Sequence, residues 1–149
     1  MTRYYVVRHA EKLNNTEDSP LNTDGNKRAK VLADSLKNKA ISKIFVSNRI
    51  QTQQTTSPTA TLFNLTPVII DETATNGLIL KLHNEKKKNI LVVWHSQSIH
   101  EVVNALSPYD QIQPIGNTYH HMFQVTRRDF LGSKNYTLKR LSYGIVPIF

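Results

Sequence analysis

The 149-residue sequence contains no cysteine and few glycines and prolines. The absence of cysteine excludes a disulfide framework, a thiol nucleophile and a thiolate metal site. Five glycines and six prolines are too few for a low-complexity chain, and no apolar run approaches the roughly 20 residues that span a bilayer. The composition therefore predicts one globular domain, residues 1–149, with enough chain to bury a core without cross-links.

The sequence also has fewer acidic residues than basic residues. Eleven Asp and Glu stand against nineteen Lys and Arg, which gives a formal net charge of +8. This excess favours anionic ligands such as phosphates, nucleic acid or acidic lipid headgroups, without choosing among them. The chain begins as a strand at Tyr4 and has no charged segment followed by an apolar one. We therefore expect a cytoplasmic protein with no membrane partner; a leader trimmed before this sequence begins would leave no trace in it.

Apolar runs and helical periodicities alternate along the first two thirds of the chain. The patterns predict strands at residues 4–7, 44–46, 68–70 and 90–94, and helices at 26–38, toward the end of 51–63, at 78–82 and at 99–106. Two later segments, 122–126 and 136–141, alternate like edge strands around Gly132, Ser133 and Asn135. This order predicts an α/β fold: three layers, a mostly parallel sheet with helices on both faces, and a late antiparallel edge.

Local signals refine the helix boundaries. Thr23 or Asp24 is the expected N-cap of the first helix. Pro58 is expected to start or kink the second helix. The lysine run at 86–88 is expected to close the third.

Two predicted strands lead directly into a histidine. The first is followed by Arg8 and His9, and the strand at 90–94 is followed by His95 and Ser96. Ligands bind beyond the carboxyl ends of parallel strands, so neighbouring strands would bring both imidazoles and one guanidinium into one pocket. A neutral imidazole can accept a phosphoryl group whose oxygens are held by cations or hydrogen-bond donors. The alternative is that each histidine only closes its strand with a hydrogen bond.

Five segments point to one family. They are RHAEK at 8–12, LNTDG at 21–25, SNRIQTQQT at 47–55, VVWHSQS at 92–98 and YHHMFQV at 119–125. In this order they resemble motifs of the histidine phosphatase superfamily, which has the phosphoglycerate mutase-like fold. The resemblance implies a phosphohydrolase without cofactor, in which His9 is transiently phosphorylated, Arg8 and His95 bind the phosphoryl group, and a carboxylic acid protonates the leaving oxygen. The short chain is similar to the phosphohistidine phosphatases and other small, open-site members.

The sequence departs from the family motifs at one position where the family has a positively charged residue. The family motif after the second strand places an arginine four residues after the serine, and here that position is Gln51. Arg49 lies two residues earlier, and either swings into the pocket or is an ordinary surface arginine. A charged hydrogen bond contributes about 1.5–3 kcal/mol, so its loss would slow the reaction at least tenfold. We therefore consider both a weakened enzyme and a phosphate-binding relic, with Arg49 and Gln51 as candidate substrate contacts.

Candidate proton donors follow the third strand. Glu72 is preferred over Asp71 by a narrow margin, and the alternative is that both are exposed turn carboxylates. Glu11 belongs to the first motif and more often has a supporting role in the family. We expect Glu11, Asn15 and Ser96 to contribute to substrate binding.

The remaining histidines predict no metal site. His95 and His100 are five residues apart and fall on different helical faces, the HExxH motif is absent, and His120 and His121 would point to opposite sides of a strand. His83 is expected at the surface.

The expected partner is a phosphorylated small molecule or phosphoprotein. A nucleic-acid binder is the less favoured alternative, because the basic residues are scattered and carry no interleaved aromatics.

Overall fold

The computed structural model describes residues 1–144 and contains one six-stranded sheet. Along the chain the elements are β1 (Thr2–Arg8), α1 (Thr23–Leu36), β2 (Lys43–Ser47), α2 (Ile50–Phe63), β3 (Val68–Ile70), α3 (Thr75–His83), β4 (Asn89–Trp94), α4 (Ile99–Leu106), β5 (His121–Phe130) and β6 (Ser133–Ser142). The strand order is β3-β2-β4-β1-β5-β6. The strands β1 to β4 run parallel, and β5 and β6 are antiparallel additions at one side. The predicted fold class is confirmed.

The central strands are buried on both faces, so their alternate residues serve two separate cores. Tyr4 and Val6 of β1 pack in the core that contains the apolar residues of α3 and α4. Tyr5 and Val7 pack in the core that contains Leu32 of α1. This arrangement explains why β1 and β4 are almost continuously apolar, as in parallel sheets covered by helices on both faces.

The first helix begins earlier than its periodicity predicts. Asn22 is the N-cap, and its side-chain oxygen accepts a hydrogen bond from the Gly25 N–H at 2.8 Å. Thr23 and Asp24, the predicted caps, are instead the first helical residues. Asparagine caps as well as aspartate does, so this cap could not be distinguished from its neighbours by residue type alone.

Pro58 does not start the second helix, because α2 begins eight residues earlier and continues through it. A proline inside a helix costs about 3 kcal/mol. Packing of the helix against the protein interior offsets this cost, because Thr52, Thr55, Thr56 and Thr59 are fully buried. The hydroxyls of the first three also donate to backbone carbonyls. Tertiary contacts have overridden a local signal here.

Two further boundaries differ from the sequence predictions. The third helix ends at His83, so the lysine run at 86–88 lies in the loop before β4. The late hairpin is longer than predicted and turns tightly through Leu131 and Gly132, which have φ of 50° and 81°. Ser133 and Asn135 therefore belong to β6 and not to the turn. Within residues 1–144 no helix is long and apolar enough to cross a membrane.

Gly25 brings α1 against the loop that follows β1. A Cβ atom built on Gly25 would lie 2.2 Å from the backbone oxygen of Glu11. The same oxygen accepts a hydrogen bond from the Asn22 N–H at 3.0 Å. Backbone atoms cannot yield as a flexible side chain would, so only glycine permits this contact.

We predict that Gly25→Ala lowers the free energy of unfolding by about 1–3 kcal/mol, because the new methyl group overpacks against backbone. Urea denaturation would show this as a lower midpoint with an unchanged slope. Gly77→Ala is the matched control, because Gly77 is also helical and its nearest contact is the Ala74 Cβ at 3.8 Å. That substitution should stabilise the protein by up to about 1 kcal/mol. Equal midpoints for the wild type and Gly25→Ala would contradict the close approach.

Candidate active site

The two histidines predicted at strand ends lie side by side. β1 and β4 pair in parallel with Arg8 opposite Trp94, and the N–H of His9 donates to the Trp94 carbonyl at 3.0 Å. The imidazole centroids of His9 and His95 are 5.6 Å apart. Both rings line a cavity of about 410 Å³ at the carboxyl ends of the strands. The structure thus brings together residues separated by most of the chain.

Every residue that lines this cavity is polar or charged. Seven were predicted from the sequence: Arg8, His9, Asn15, Gln51, Glu72, His95 and Ser96. Four were not: Lys12, Glu17, Gln97 and Ser98. Such a lining suits a small, strongly polar ligand better than an apolar one.

His9 is held as a neutral imidazole with a defined tautomer. Its Nδ1 lies 2.8 Å from the Ala10 carbonyl oxygen, which can only accept, so Nδ1 carries the proton and Nε2 keeps its lone pair. His9 is 4% exposed. Burial lowers its pKa to about 3, and the nearby charges of Arg8 and His95 act in the same direction. A neutral Nε2 is the form of imidazole that can act as a nucleophile.

Hydroxyl groups position the second histidine. The Nε2 atom of His95 lies 2.7 Å from Ser47 Oγ, which in turn lies 2.7 Å from Thr52 Oγ1. The Thr52 hydroxyl also reaches the carbonyls of Ser47 and Arg49. Burial lowers the pKa of His95 to about 4, although Glu72, with Oε2 at 3.7 Å from Nε2, opposes that shift.

Arg8 is nearly buried and lies against the aromatic ring of Tyr119. Its Cζ is 4.0 Å from the ring centroid, and one terminal nitrogen donates to the Thr118 carbonyl at 3.3 Å. Its buried Nε has no hydrogen-bond partner within residues 1–144. Arg8 therefore presents a desolvated guanidinium to the cavity with donor capacity that the protein leaves unused.

Gln51 lines the cavity, but its amide is committed to the neighbouring loop. Its Nε2 donates to the Glu17 carbonyl at 2.8 Å, and its Oε1 accepts from the Ser19 N–H at 3.2 Å. Both ends of the amide thus hold the loop at residues 17–19. Gln51 also lines the cavity, and its Nε2 has a second N–H, so its contact with substrate stays a prediction.

Arg49 forms an ion pair with Glu72 and lies 3.5 Å from Glu17. It is not among the residues that line the cavity. The hydrogen bond from Arg49 lowers the pKa of Glu72, so this carboxyl is ionised in the resting protein. Asp71 does not line the cavity, because its carboxylate is bound to the backbone and hydroxyl of Thr73.

Glu11 has a structural position away from the cavity. Its carboxylate accepts from Nε and a terminal nitrogen of Arg28, at 2.8 and 3.2 Å. It thereby ties the loop after β1 to α1, and the predicted contact of Glu11 with substrate is not supported. The acidic residue of the motif has turned to the helix because a buried arginine there needs a partner.

The remaining histidines form no metal-binding group within residues 1–144. His120 precedes β5, and its ring lies 4.1 Å from that of His121, so the two do not point to opposite sides. His83 is exposed, as predicted, and its Nε2 lies 3.1 Å from the Ala105 carbonyl oxygen.

Comparison with known proteins identifies the family. The family model of the histidine phosphatase superfamily (branch 1) matches residues 4–76. This segment runs from β1 into α3 and includes His9, the Gln51 position and Glu72. Residues 4–76 therefore belong to the histidine phosphatase superfamily. This membership supports a phosphatase. No curated protein matches the chain significantly.

Solved structures share the histidine phosphatase fold over nearly the whole chain. The protein histidine phosphatase SixA complexed with tungstate is 23% identical, with a TM-score of 0.70, and 94% of this chain matches 96% of it. A putative phosphohistidine phosphatase SixA from Agrobacterium tumefaciens is 20% identical over 98% of both chains, with a TM-score of 0.72. Phosphoserine phosphatase from Entamoeba histolytica, in complex with 3-phosphoglyceric acid, is 16% identical over 95% of this chain and 98% of its own, with a TM-score of 0.70. At these identities the likeness concerns the fold.

Several residues of the histidine phosphatase site escaped the sequence analysis. Lys12 stands inside the RHAEK motif, directly after the acidic residue, and could have been found by its place three residues from His9. Tyr119 begins the YHHMFQV segment, but its contact with Arg8 depends on long-range folding. Glu17 had no sequence signal, because folding brings it to Arg49.

We predict that His9 and His95 make this protein less stable in acid. Each has a folded-state pKa below the unfolded value of 6.5, at about 3 and about 4, so the unfolded chain binds more protons between these values. Each histidine should therefore lower the free energy of unfolding by about 2 kcal/mol between pH 8 and pH 5. Urea titrations of the wild type and His9→Asn at both pH values check this. The variant should show a decline about 2 kcal/mol smaller; an identical decline would contradict the burial of a neutral imidazole.

Proposed function

We propose that this protein is a metal-independent phosphatase that acts through a phosphohistidine intermediate at His9. The substrate is a phosphomonoester or a phosphohistidine. The observation that carries the proposal is the neutral His9 imidazole, whose Nδ1 proton is fixed on the Ala10 carbonyl and whose Nε2 lone pair is left for the cavity. Family membership supports the same reading.

The reaction has two steps. The Nε2 lone pair of His9 attacks phosphorus, the N–P bond forms, and the bond from phosphorus to the leaving atom breaks with its electron pair on the leaving atom. That atom takes a proton from an acid. Water then attacks phosphorus and gives up a proton, the N–P bond breaks, and inorganic phosphate leaves with His9 restored to its neutral form.

Arg8 and His95 stabilise the transferred group. Arg8 lines the cavity, and its one hydrogen bond to the protein within residues 1–144 goes to the Thr118 carbonyl, so its guanidinium has further N–H donors for phosphoryl oxygens. The Ser47 hydroxyl holds Nε2 of His95 at 2.7 Å and thereby fixes the orientation of this ring beside His9. Fixed donors of this kind stabilise charge on the phosphoryl oxygens as the bond to the leaving atom breaks.

Glu72 is the proposed proton donor, because it is the carboxyl of the Asp71–Glu72 pair that lines the cavity. Arg49 keeps it ionised in the resting protein. A phosphoryl group beside Glu72 raises its pKa by adding negative charge. Phosphate monoesters have a second pKa near about 6, so a substrate bound as the monoanion brings the required proton with it.

Neighbouring structures bind ligands of the same chemical class. One SixA structure holds tungstate, and the phosphoserine phosphatase holds 3-phosphoglyceric acid. Both ligands are oxyanions or carry one, which supports an anion in the corresponding cavity of this chain.

A catalytically impaired phosphate-binding module is the second candidate function. It is favoured by the family arginine being Gln51, whose amide is bound to the loop at residues 17–19, and by the ion pair that occupies Arg49. A site with too little positive charge could bind phosphate and still fail to stabilise its transfer.

We predict that p-nitrophenyl phosphate is hydrolysed in the presence of EDTA and that His9→Ala lowers turnover by more than about 1000-fold, because the nucleophile is lost. Alkaline quenching of the wild type during turnover should trap phosphorylated protein, which mass spectrometry would place on His9. His83→Ala is the control and should keep wild-type turnover, because His83 lies at the other end of β1 from His9. The His83 carbonyl accepts a hydrogen bond from Arg127, and Arg127 pairs with Thr2 at the start of β1.

Two results would contradict the proposal. Turnover that survives in His9→Ala would exclude the phosphohistidine mechanism. Protection of the wild type by phosphate against thermal unfolding, without any turnover, would favour the phosphate-binding module instead.

We predict that Glu72→Gln affects substrates unequally. An alkyl phosphate needs its leaving oxygen protonated, so kcat/KM should fall by about 100-fold or more. A p-nitrophenolate leaves without a proton, so the same variant should lose much less activity on p-nitrophenyl phosphate. Asp71→Asn is the matched control and should not discriminate between the two substrates. Equal losses on both substrates would show that Glu72 holds Arg49 and does not donate a proton.

A further inference from the structure

The candidate active site lacks its second arginine, and the structure offers three replacements: Gln51, Arg49 and Lys12. Gln51 uses both ends of its amide to hold the loop at residues 17–19. Arg49 is bound by Glu72, and it does not line the cavity. Lys12 does line the cavity, together with Arg8 and both histidines.

Lys12 has donor capacity left for a ligand. Its ammonium donates one hydrogen bond, to the Thr16 carbonyl at 2.8 Å, and has no carboxylate within 4.0 Å among residues 1–144. An ammonium has three N–H donors, so two are available. The positive charge of Lys12 also acts on both imidazoles, where it contributes to their lowered pKa values.

The backbone around Lys12 is fixed. Lys12 forms an antiparallel bridge with Leu21, and the Leu13 N–H donates to the Pro20 carbonyl at 2.8 Å. On the other side, the Ala10 N–H donates to Thr55 Oγ1 at 2.8 Å. The backbone of Lys12 is therefore already ordered, so only its side chain loses conformational freedom when the ammonium binds an anion.

We propose that Lys12 is the second cation that binds the phosphoryl group, in place of the arginine that the family motif puts at the Gln51 position. The substitution is chemically reasonable, because an ammonium binds phosphate as a point charge and needs no bidentate alignment. A lysine can therefore act from a different Cα position, whereas a shifted arginine has to rebuild its planar contact. In this arrangement Arg49 stays with Glu72 and sets the state of that carboxyl.

A catalytic role for Lys12 rests on the proposed function, but the experiment that tests the inference measures only the binding of phosphate. Calorimetry with inorganic phosphate gives Kd for the wild type and Lys12→Met, which keeps the length of the stem without its charge. We expect Kd to rise by about tenfold or more. Lys12→Arg should keep most of the affinity. Lys30→Met is the control for net charge, because Lys30 is exposed on α1, and it should bind phosphate like the wild type.

The Arg49→Met variant distinguishes the contribution of Arg49 to phosphate binding from that of Lys12. If it weakens phosphate binding strongly and Lys12→Met does not, Arg49 is the replacement and the inference is wrong. Wild-type affinity in Lys12→Met, or a wild type that binds no phosphate, also overturns it. Urea midpoints equal to the wild type show that a lost affinity is not a folding defect.

The results that would contradict the phosphatase function differ from those that would contradict the Lys12 site. A wild type that binds phosphate through Lys12 but has no turnover dependent on His9 contradicts the phosphatase and supports the Lys12 site. Turnover dependent on His9 with unchanged phosphate binding in Lys12→Met contradicts the Lys12 site alone.

Discussion

The pairing of β1 with β4 holds the rest of the site together. Arg8 stands opposite Trp94 at the last register position, and the next residue of each strand is a histidine. A shift of one strand by one residue would move its histidine along the sheet edge and turn it to the opposite face from the other histidine. The pairing is protected by burial on both faces, because the alternate residues of β1 fill two different cores. The geometry of the cavity is therefore a consequence of core packing.

Burial of the histidines and the positive charges near them both lower the pKa values of His9 and His95. Removing the imidazoles from water favours their neutral forms, and Arg8 disfavours a further positive charge beside it. The cavity lining contains two cations, Arg8 and Lys12, and two carboxylates, Glu17 and Glu72. The neutral imidazoles add no further positive charge to this balance.

The sequence predicted what depends on local periodicity and on strand ends. The fold class follows from the alternating periodicities, and the paired histidines follow from the rule that parallel strands deliver their next residues to one edge. That rule placed both Asp71 and Glu72 at this edge and did not decide between them. The sequence could not predict partners that come from elsewhere in the chain. Glu11 was expected near substrate, but Arg28 of α1 binds its carboxylate. Gln51 was expected to bind substrate, but the loop at residues 17–19 takes both ends of its amide. In each case a contact with a distant part of the chain, which motif spacing cannot indicate, determines the hydrogen bonds of the side chain.

The two outer strands of the described sheet explain part of the composition. β3 has three residues, and β6, at the other side, carries Lys134, Lys139 and Arg140. Unpaired strand edges invite pairing with other chains, and short edges or lysine-rich edges discourage it. Lys134 and Lys139 therefore disfavour the pairing of a second copy of this sheet along β6, so part of the basic excess acts independently of any anionic ligand.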